Sequence, residues 1–218
     1  MIVARYSGKR QFQTVADYIR ARKASNERYV VVDVGGAANP AFGDLADIYV
    51  DIRPVPGQRT IVGDINDPAT WEQVLREQPD FVICSHTLED IRDPNFVIGW
   101  LNRCFRAGFI AMPNKHTEMS SGIESDLYPG YAHHRWVFTL NDTGVLRAIA
   151  KMPVTALFAS AEGKALLSWL NPALVGHGME LGFVYEDRLE LDMINGDYAG
   201  HNVRELIDLY RRELAAGL

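Results

Sequence analysis

The residues best suited to chemistry in this sequence form a short cluster of histidines and one glutamate. His116 and Glu118 lie in the segment Asn-Lys-His-Thr-Glu, and His133 and His134 lie in Tyr-Ala-His-His-Arg-Trp, so the four span 19 residues. Imidazole and carboxylate groups transfer protons near neutral pH, and they also bind divalent metal ions. The cluster therefore predicts either acid–base catalysis or a metal site in this part of the chain.

Three interpretations of this cluster remain open from the sequence. In the first, His133, His134 or His116 is a general base that removes a proton from a hydroxyl or amine of a substrate. In the second, His116, Glu118 and one of the later histidines hold a divalent metal, although the spacing matches no standard zinc motif. In the third, the histidines are structural, and because neighbouring side chains of an extended segment point in opposite directions, at most one of the pair faces a site.

A second candidate site follows an apolar segment in the first quarter of the chain. The sequence Tyr-Val-Val-Val-Asp-Val-Gly-Gly begins at Tyr29 and contains Asp33, Gly35 and Gly36. A β-branched run that stops at glycines is typical of a strand buried on both faces, followed by a turn where a ligand approaches the backbone. Asp51 lies 16 residues beyond Gly35, close to the ~20-residue spacing at which an acid reaches ribose hydroxyls. Together these features predict an adenosine-type cofactor.

Alternating strands and helices position these residues. The predicted strands cover residues 29–34, 48–51, 60–62, 80–85 and 107–112, and the predicted helices cover residues 10–24, the segment after Asp67, and residues 94–106. This alternation is typical of a doubly wound α/β fold, with a mostly parallel, Rossmann-like sheet and helices on both faces. Ligands of such sheets bind at the carboxyl ends of the strands. Polar residues end the predicted strands: Asp33, Asp51, Asp64, Ser85 and Asn114.

The second half of the chain has a less regular pattern. Residues 114–135 are polar and predict an active-site loop. A capping residue at Asn141 or Asp142 predicts a helix through Ile149. Further predicted elements are a strand over residues 154–159, two strands over 181–185 and 188–194 that pair with each other, and helices over 161–169 and 203–215. No linker or repeat is evident, and we expect a single domain over residues 1–218.

The motifs, in their order along the chain, resemble those of the class I S-adenosylmethionine-dependent methyltransferases. Residues 31–36 are similar to the glycine motif of that family, and Asp51 is similar to the acid that holds the ribose of the cofactor. Gly63-Asp64-Ile65 is similar to the segment beside the adenine. Residues 81–94 are similar to the fourth strand and the turn after it. The run 101–113 resembles the helix and fifth strand that come next.

This resemblance implies a cofactor, a reaction and a division of the chain. It covers about residues 28–113, which would form the cofactor-binding half, and it leaves residues 114–218 as the acceptor-side half. The implied reaction is methyl transfer from S-adenosylmethionine to an oxygen or nitrogen of a small-molecule or sugar-like acceptor, with one of the histidines as base. The implied cofactor-binding residues are Asp33, Gly35, Gly36, Asp51, Asp64, Ile65 and Ser85.

Two other functions remain open from the sequence. One is metal-dependent catalysis by the cluster of His116, Glu118, His133 and His134 on a Rossmann-like scaffold. The other is a degenerate, non-catalytic domain that serves as a partner subunit. The latter is suggested by residues 37–40, Ala-Ala-Asn-Pro, where the family usually has a further small or glycine position. Asp90, in place of a common histidine, is a second departure from the family pattern.

Composition limits the classes of partner. The net charge of −6 argues against a general nucleic-acid or anionic-membrane binder, because phosphate contacts require a basic surface. No apolar run approaches the ~20 residues needed to span a membrane, and the first residues do not resemble a secretory signal. Cys84 and Cys104 lie in apolar segments and predict buried thiols in a reducing compartment. We therefore expect a cytoplasmic protein.

Overall fold

We describe the fold from a computed structural model of the chain. The description covers residues 2–6, 10–36, 42–120, 122–125, 128–141, 143–151 and 179–194. The strands are β1 (Ile2–Tyr6), β2 (Val31–Val34), β3 (Ile48–Asp51), β4 (Thr60–Val62), β5 (Phe81–Ser85), β6 (Ala107–Pro113), β7 (Trp136–Leu140), β8 (Leu146–Ala150), β9 (Glu180–Glu186) and β10 (Leu191–Ile194). The helices are α1 (Arg10–Ser25), α2 (Pro68–Arg76), α3 (Pro94–Cys104) and α4 (Lys115–Met119).

Seven strands form one sheet, in the order β1-β9-β6-β5-β2-β3-β4. From β6 to β4 all neighbours are parallel, whereas β9 runs antiparallel to both β6 and β1. Parallel strands end at the same edge of a sheet, so the carboxyl ends of β2, β3, β4 and β5 lie side by side. The prediction of a mostly parallel sheet is confirmed. The predicted cofactor-binding residues lie at this edge of the sheet.

Helices cover both faces of the large sheet, as predicted. Successive residues of a strand point to opposite faces, and the two faces belong to separate hydrophobic cores. Val31 and Phe109 lie in one core with Ile19 of α1. Val32 lies in the other core with Trp71 of α2, and residues of α3 belong to that core as well. The buried strand β2 is therefore apolar on both sides, except at Asp33.

A second sheet of three strands, in the order β10-β8-β7, was not predicted. β8 pairs antiparallel with β7 and parallel with β10. Trp136, Phe138 and Leu146 of this sheet are fully buried and lie in the same core as α2 and α3. The small sheet therefore covers part of the face that these helices also cover.

Two predictions in this region are wrong. Residues 146–150 form β8 and not a helix, because the Asn141 side chain closes the turn between β7 and β8. Its Oδ1 accepts hydrogen bonds from the backbone N–H groups of Thr143 and Val145, at 3.0 Å and 2.8 Å. The two C-terminal strands do not pair with each other, because β9 joins the large sheet and β10 joins the small one.

Three predicted elements lie outside the described residues, namely the strand over 154–159 and the helices over 161–169 and 203–215. Over the part of the chain that is described, no helix has the length and apolar character needed to cross a bilayer. Cys84 and Cys104 are buried free thiols, as predicted.

The close packing of the central strands gives a test of this fold. A Cβ added to Gly108 in β6 would lie 2.4 Å from Cγ1 of Val82 and 2.8 Å from Cε1 of Tyr185. Because both neighbours are buried, Gly108→Ala should lower the free energy of unfolding by about 1–3 kcal/mol in a denaturant titration. Gly99→Ala, at an exposed position of α3 where nothing lies within 4 Å of the added Cβ, should instead add about 0.5–1 kcal/mol. Equal effects at the two glycines would contradict this strand packing.

Candidate functional site

A cavity of about 540 Å³ lies at the carboxyl ends of the central parallel strands. Ligand pockets in proteins have volumes of about 300–1,000 Å³. Residues that end or follow four neighbouring strands line the cavity: Gly35 after β2, Asp51 in β3, Asp64 and Ile65 after β4, and His86 and Thr87 after β5. Four of the seven predicted cofactor-binding residues are in this lining, whereas Asp33, Gly36 and Ser85 are not.

The turn after β2 needs its two glycines for reasons of packing. Gly35 has a positive φ of 73°, and a Cβ there would lie 2.5 Å from Oγ1 of Thr87. Thr87 in turn donates this hydroxyl to the Val34 carbonyl, at 3.1 Å. A Cβ on Gly36 would lie 1.9 Å from Oδ1 of Asp33. The turn is thus pressed against the loop after β5 and against the side chain of its own strand.

Asp33 is a buried carboxylate behind this turn. Its side chain is 1% exposed, and neither oxygen has a hydrogen-bond partner of normal geometry among the described residues. Burial, together with the negative charge of Asp51, raises the pKa of Asp33 to about 7, although the Gly36 backbone opposes this shift. A carboxylate in this state destabilises the fold when it ionises.

The wall formed after β4 is held in a fixed turn. Oδ1 of Asp64 accepts hydrogen bonds from both the backbone N–H and the side-chain amide of Asn66, each at 2.8 Å. The carbonyl of Ile65 accepts a hydrogen bond from Nε1 of the buried Trp71, at 2.7 Å. Ile65 therefore presents an apolar surface of fixed position to the cavity, opposite the polar ends of β2 and β5.

His86 is a cavity residue that was not predicted. Its positive φ of 53° is uncommon for a non-glycine residue and indicates local strain. Nε2 lies 3.0 Å from Oε1 of Glu180, and Nδ1 lies 3.4 Å from Oε1 of the buried Glu89. The hydrogen bond to Glu180 and the nearby carboxylate of Glu89 raise the pKa of His86 to about 10, which favours a cationic ring at neutral pH. His86 directly follows Ser85, the predicted residue at the end of β5. This position in the sequence could have identified His86 as a candidate.

The adjacent histidines meet at one carboxylate. Nε2 of His134 lies 3.7 Å from Oδ1 of Asp90, and Nε2 of His133 lies 3.9 Å from the same oxygen. The two rings are 4.3 Å apart between centroids, at an angle of 74°. Both rings approach Asp90 because they lie in a turn before β7 and not in a strand. Neither histidine is among the described residues that line the cavity, so the expectation that at most one of them faces a site stays a prediction. Asp90 does line the cavity, so it joins the pair to it.

The ring of His134 is held by a buried ion network. Its Nδ1 lies 2.6 Å from Oε1 of Glu118, and Nζ of Lys151 donates to Oε2 of Glu118 at 2.5 Å. Lys151 and Glu118 are each 1% exposed. Burial opposes the ionisation of Glu118, but the hydrogen bond from His134 and the charge of Lys151 outweigh it and lower the pKa of Glu118. Lys151 was not predicted, since only its burial distinguishes it from a surface lysine.

The structure separates His116 from the other two histidines. In the short helix α4, His116 is exposed and Glu118 is buried, so the two side chains lie on different sides of the helix. Of the described residues that line the cavity, none belongs to α4. Glu118 binds His134 and Lys151, and it is therefore a buried support for the site rather than part of the cavity wall.

Comparison with known proteins gives likeness in fold alone. No family model matches the sequence, and no curated protein does either. A provisionally assigned sarcosine dimethylglycine methyltransferase from Galdieria sulphuraria matches 84% of this chain and 87% of its own, with 13% identity and a TM-score of 0.38. The N-terminal domain of EvdMO1 with SAH bound matches 79% of this chain and 81% of its own, with 11% identity and a TM-score of 0.39.

A third solved structure gives a similar value. The methyltransferase domain of bacterial CtHen1-CN matches 80% of this chain and 98% of its own, with 12% identity and a TM-score of 0.39. Similarity at this level does not assign an activity to the chain.

The buried Asp33 predicts a pH-dependent stability. Its pKa is about 7 in the fold against an ordinary value of 3.8, so the fold binds the proton more tightly than the unfolded chain does. The stability that this proton gives is present below about pH 4 and is lost as the pH rises through 7. Asp33→Asn should therefore gain about 2–4 kcal/mol over the wild type at pH 8 and little at pH 4. Denaturant titrations at both values measure this, with the exposed Asp192→Asn as control. A gain that is the same at both values would contradict the burial of the charge.

The network around Glu118 predicts a large cost of substitution. Glu118→Gln leaves the buried Lys151 without a carboxylate, so it should lower the free energy of unfolding by about 3–5 kcal/mol. The double variant Glu118→Gln/Lys151→Met should recover part of this loss, because no unpaired charge then remains buried. Glu77→Gln breaks an exposed pair with Arg59 and should cost less than about 1 kcal/mol. Similar losses at Glu118 and Glu77 in denaturant titrations would show that the network is not buried as described.

Proposed function

We propose that this chain transfers a methyl group from S-adenosylmethionine to an oxygen or nitrogen of a small-molecule or sugar-like acceptor. The observation that carries the proposal is the position of Asp51. It ends β3 and lines the same cavity as the Gly35 turn and Ile65. In a parallel α/β sheet, an acid at the end of the second strand of the binding unit is placed to accept hydrogen bonds from ribose hydroxyls.

The charges around the cavity suit this cofactor. Among the described lining residues, three carry carboxylates and three carry cationic groups. S-adenosylmethionine has a sulfonium, an ammonium and a carboxylate, so it needs both signs of charge in its site. The apolar Ile65 offers a surface for the adenine. The two sets of side chains are Asp51, Asp64 and Asp90, and His86, Arg92 and Arg135.

In this reaction the main role of the protein is to orient the reactants. The bound cofactor supplies a methyl carbon on a cationic sulfur, and alignment of this carbon with an acceptor lone pair contributes much of the rate. Asp51 and Ile65 would fix the adenosine part. Asp90, with His133 and His134 behind it, marks the edge where we place the acceptor. His133 and His134 are the candidates for the group that takes the acceptor proton. His116 has no place at the cavity in this proposal.

The proposal is tested by calorimetric titration of the purified chain with S-adenosylmethionine and S-adenosylhomocysteine. We expect micromolar binding by the wild type and at least a tenfold loss in Asp51→Ala, which corresponds to about 1.4 kcal/mol. Asp192→Ala removes an aspartate that pairs with Arg147 on the small sheet and should bind like the wild type.

Two outcomes of this titration would count against the proposal. A folded, cofactor-free wild type that binds neither compound would reject it and favour the non-catalytic partner subunit. If the wild type and Asp51→Ala bind the two compounds equally well, Asp51 does not contribute to the cofactor site. Thermal unfolding followed by circular dichroism shows whether each variant is folded, so loss of binding is separated from loss of structure.

A further inference from the structure

Asp90, His133 and His134 bring two imidazoles and one carboxylate to one point. One ligand atom of each residue lies within 4.8 Å of those of the other two. Both histidines present Nε2 to the same oxygen of Asp90, at 3.7 Å and 3.9 Å. Around a metal with bonds of 2.0–2.2 Å, tetrahedral ligand atoms lie about 3.4 Å apart. Both distances to Asp90 exceed this value by a few tenths of an ångström. The ligand atoms of the two histidines lie within 4.8 Å of each other, so side-chain shifts of up to about 1.4 Å would complete this arrangement.

We propose that Asp90, His133 and His134 bind one divalent transition-metal ion at the edge of the cavity. The donor set of two imidazoles and one carboxylate suits metals such as Zn²⁺ and Fe²⁺ better than Mg²⁺ or Ca²⁺, which prefer oxygen ligands. Three protein ligands leave a coordination position for water or substrate. Because Asp90 lines the cavity, that position is accessible to a molecule bound there. Zn²⁺ is the metal we would test first.

The surroundings of the histidines support this assignment. Metal-binding histidines usually donate their second ring N–H to a carboxylate or carbonyl, which fixes the ring and its tautomer. Nδ1 of His134 lies 2.6 Å from Oε1 of Glu118, a position in which Nδ1–H would donate to this carboxylate while Nε2, on the side of Asp90, binds the metal. Nδ1 of His133 faces Oε2 of Glu124 at 3.9 Å. Each histidine thus has one nitrogen towards Asp90 and the other towards a separate carboxylate.

This metal site differs from the one that the sequence suggested. His116 and Glu118 are ligands in one of the three interpretations that the sequence leaves open, but His116 is exposed on α4, and Glu118 is bound by His134 and Lys151. Asp90 takes their place as the oxygen ligand. Its approach to the histidines is a long-range contact, and Arg135 contributes to it by donating Nε–H to the Asp90 carbonyl at 2.7 Å.

A metal here would also define how the acceptor is held, and this step rests on the proposed function. An acceptor hydroxyl bound at the open position loses its proton to water more readily. The oxygen lone pair then forms the new C–O bond, while the bond between carbon and sulfur breaks and its electrons neutralise the sulfonium. In that case His133 and His134 are ligands and do not act as the base. An oxygen acceptor is then favoured over a nitrogen acceptor.

The test is a calorimetric titration of tag-free, metal-stripped full-length chain with Zn²⁺, without any cofactor. We expect one equivalent to bind to the wild type, and at least a tenfold loss of affinity in His133→Gln, His134→Gln and Asp90→Asn. The matched control is His116→Gln, which changes an exposed histidine that is not one of the three proposed ligands. This variant should bind Zn²⁺ like the wild type. Co²⁺ absorption spectra give a second readout, because ligand exchange by these substitutions changes the visible bands.

The outcomes separate this proposal from the proposed function. A folded wild type that binds neither Zn²⁺ nor Co²⁺ would overturn the metal site, whatever the result of the cofactor titration. Equal Zn²⁺ affinity in the wild type and all three ligand variants would do the same, as it would indicate adventitious binding elsewhere. His134 is buried and its substitution can disturb the fold, but the side chains of His133 and Asp90 are each 44% exposed, so these two variants keep the test decisive.

Discussion

The buried carboxylate of Glu118 ties together described segments from the second half of the chain. It binds His134 from the loop before β7 and Lys151 at the end of β8. Gly130 packs so closely that an added Cβ would lie 2.7 Å from a Glu118 carboxylate oxygen. A buried charge is costly unless all its partners are present. The three segments, which are α4, the loop before β7 and the residue after β8, must therefore take their positions together. Their packing fixes the orientation of the His134 ring.

Further contacts join these segments to the loop after β5. The segment after His134 is bound to the loop after β5, since Arg135 N–H donates to the Glu89 carbonyl at 2.7 Å and Nε1 of Trp136 donates to the Ile91 carbonyl at 2.9 Å. Asp90 lies between these two anchors. The polar turn that follows β5 therefore contributes to two groups of residues. His86 and Thr87 line the cavity, and Asp90 lies next to His133 and His134.

Local rules predicted strands β2 to β6 well, because each contains a short apolar run bounded by turn-forming residues, whereas β1 (Ile2–Tyr6) was not predicted. The same rules failed where long-range contacts decide. Asn141 satisfies the rule for a helix cap and also that for a turn between strands. In the structure it closes the turn, and Trp136 and Leu146 of the two paired strands lie in the core. Likewise, the alternation rule for His133 and His134 holds only in extended backbone, and nothing local shows that Asp90 lies between the two rings.

The glycines of the turn after β2 are weaker evidence for a cofactor than their pattern suggests. Thr87 and Asp33 already exclude a Cβ at Gly35 and Gly36, so folding alone requires glycine at both positions. Asp51 is different. Its carboxylate accepts a hydrogen bond from the Arg53 backbone in an exposed turn, a contact that asparagine or serine also provides. Its negative charge moreover raises the pKa of Asp33. The charge of Asp51 opposes folding, and the only local contact described for it does not require a charge. The presence of aspartate at this position is better explained by binding to a ligand. For this reason the proposed function depends on Asp51 and not on the glycines.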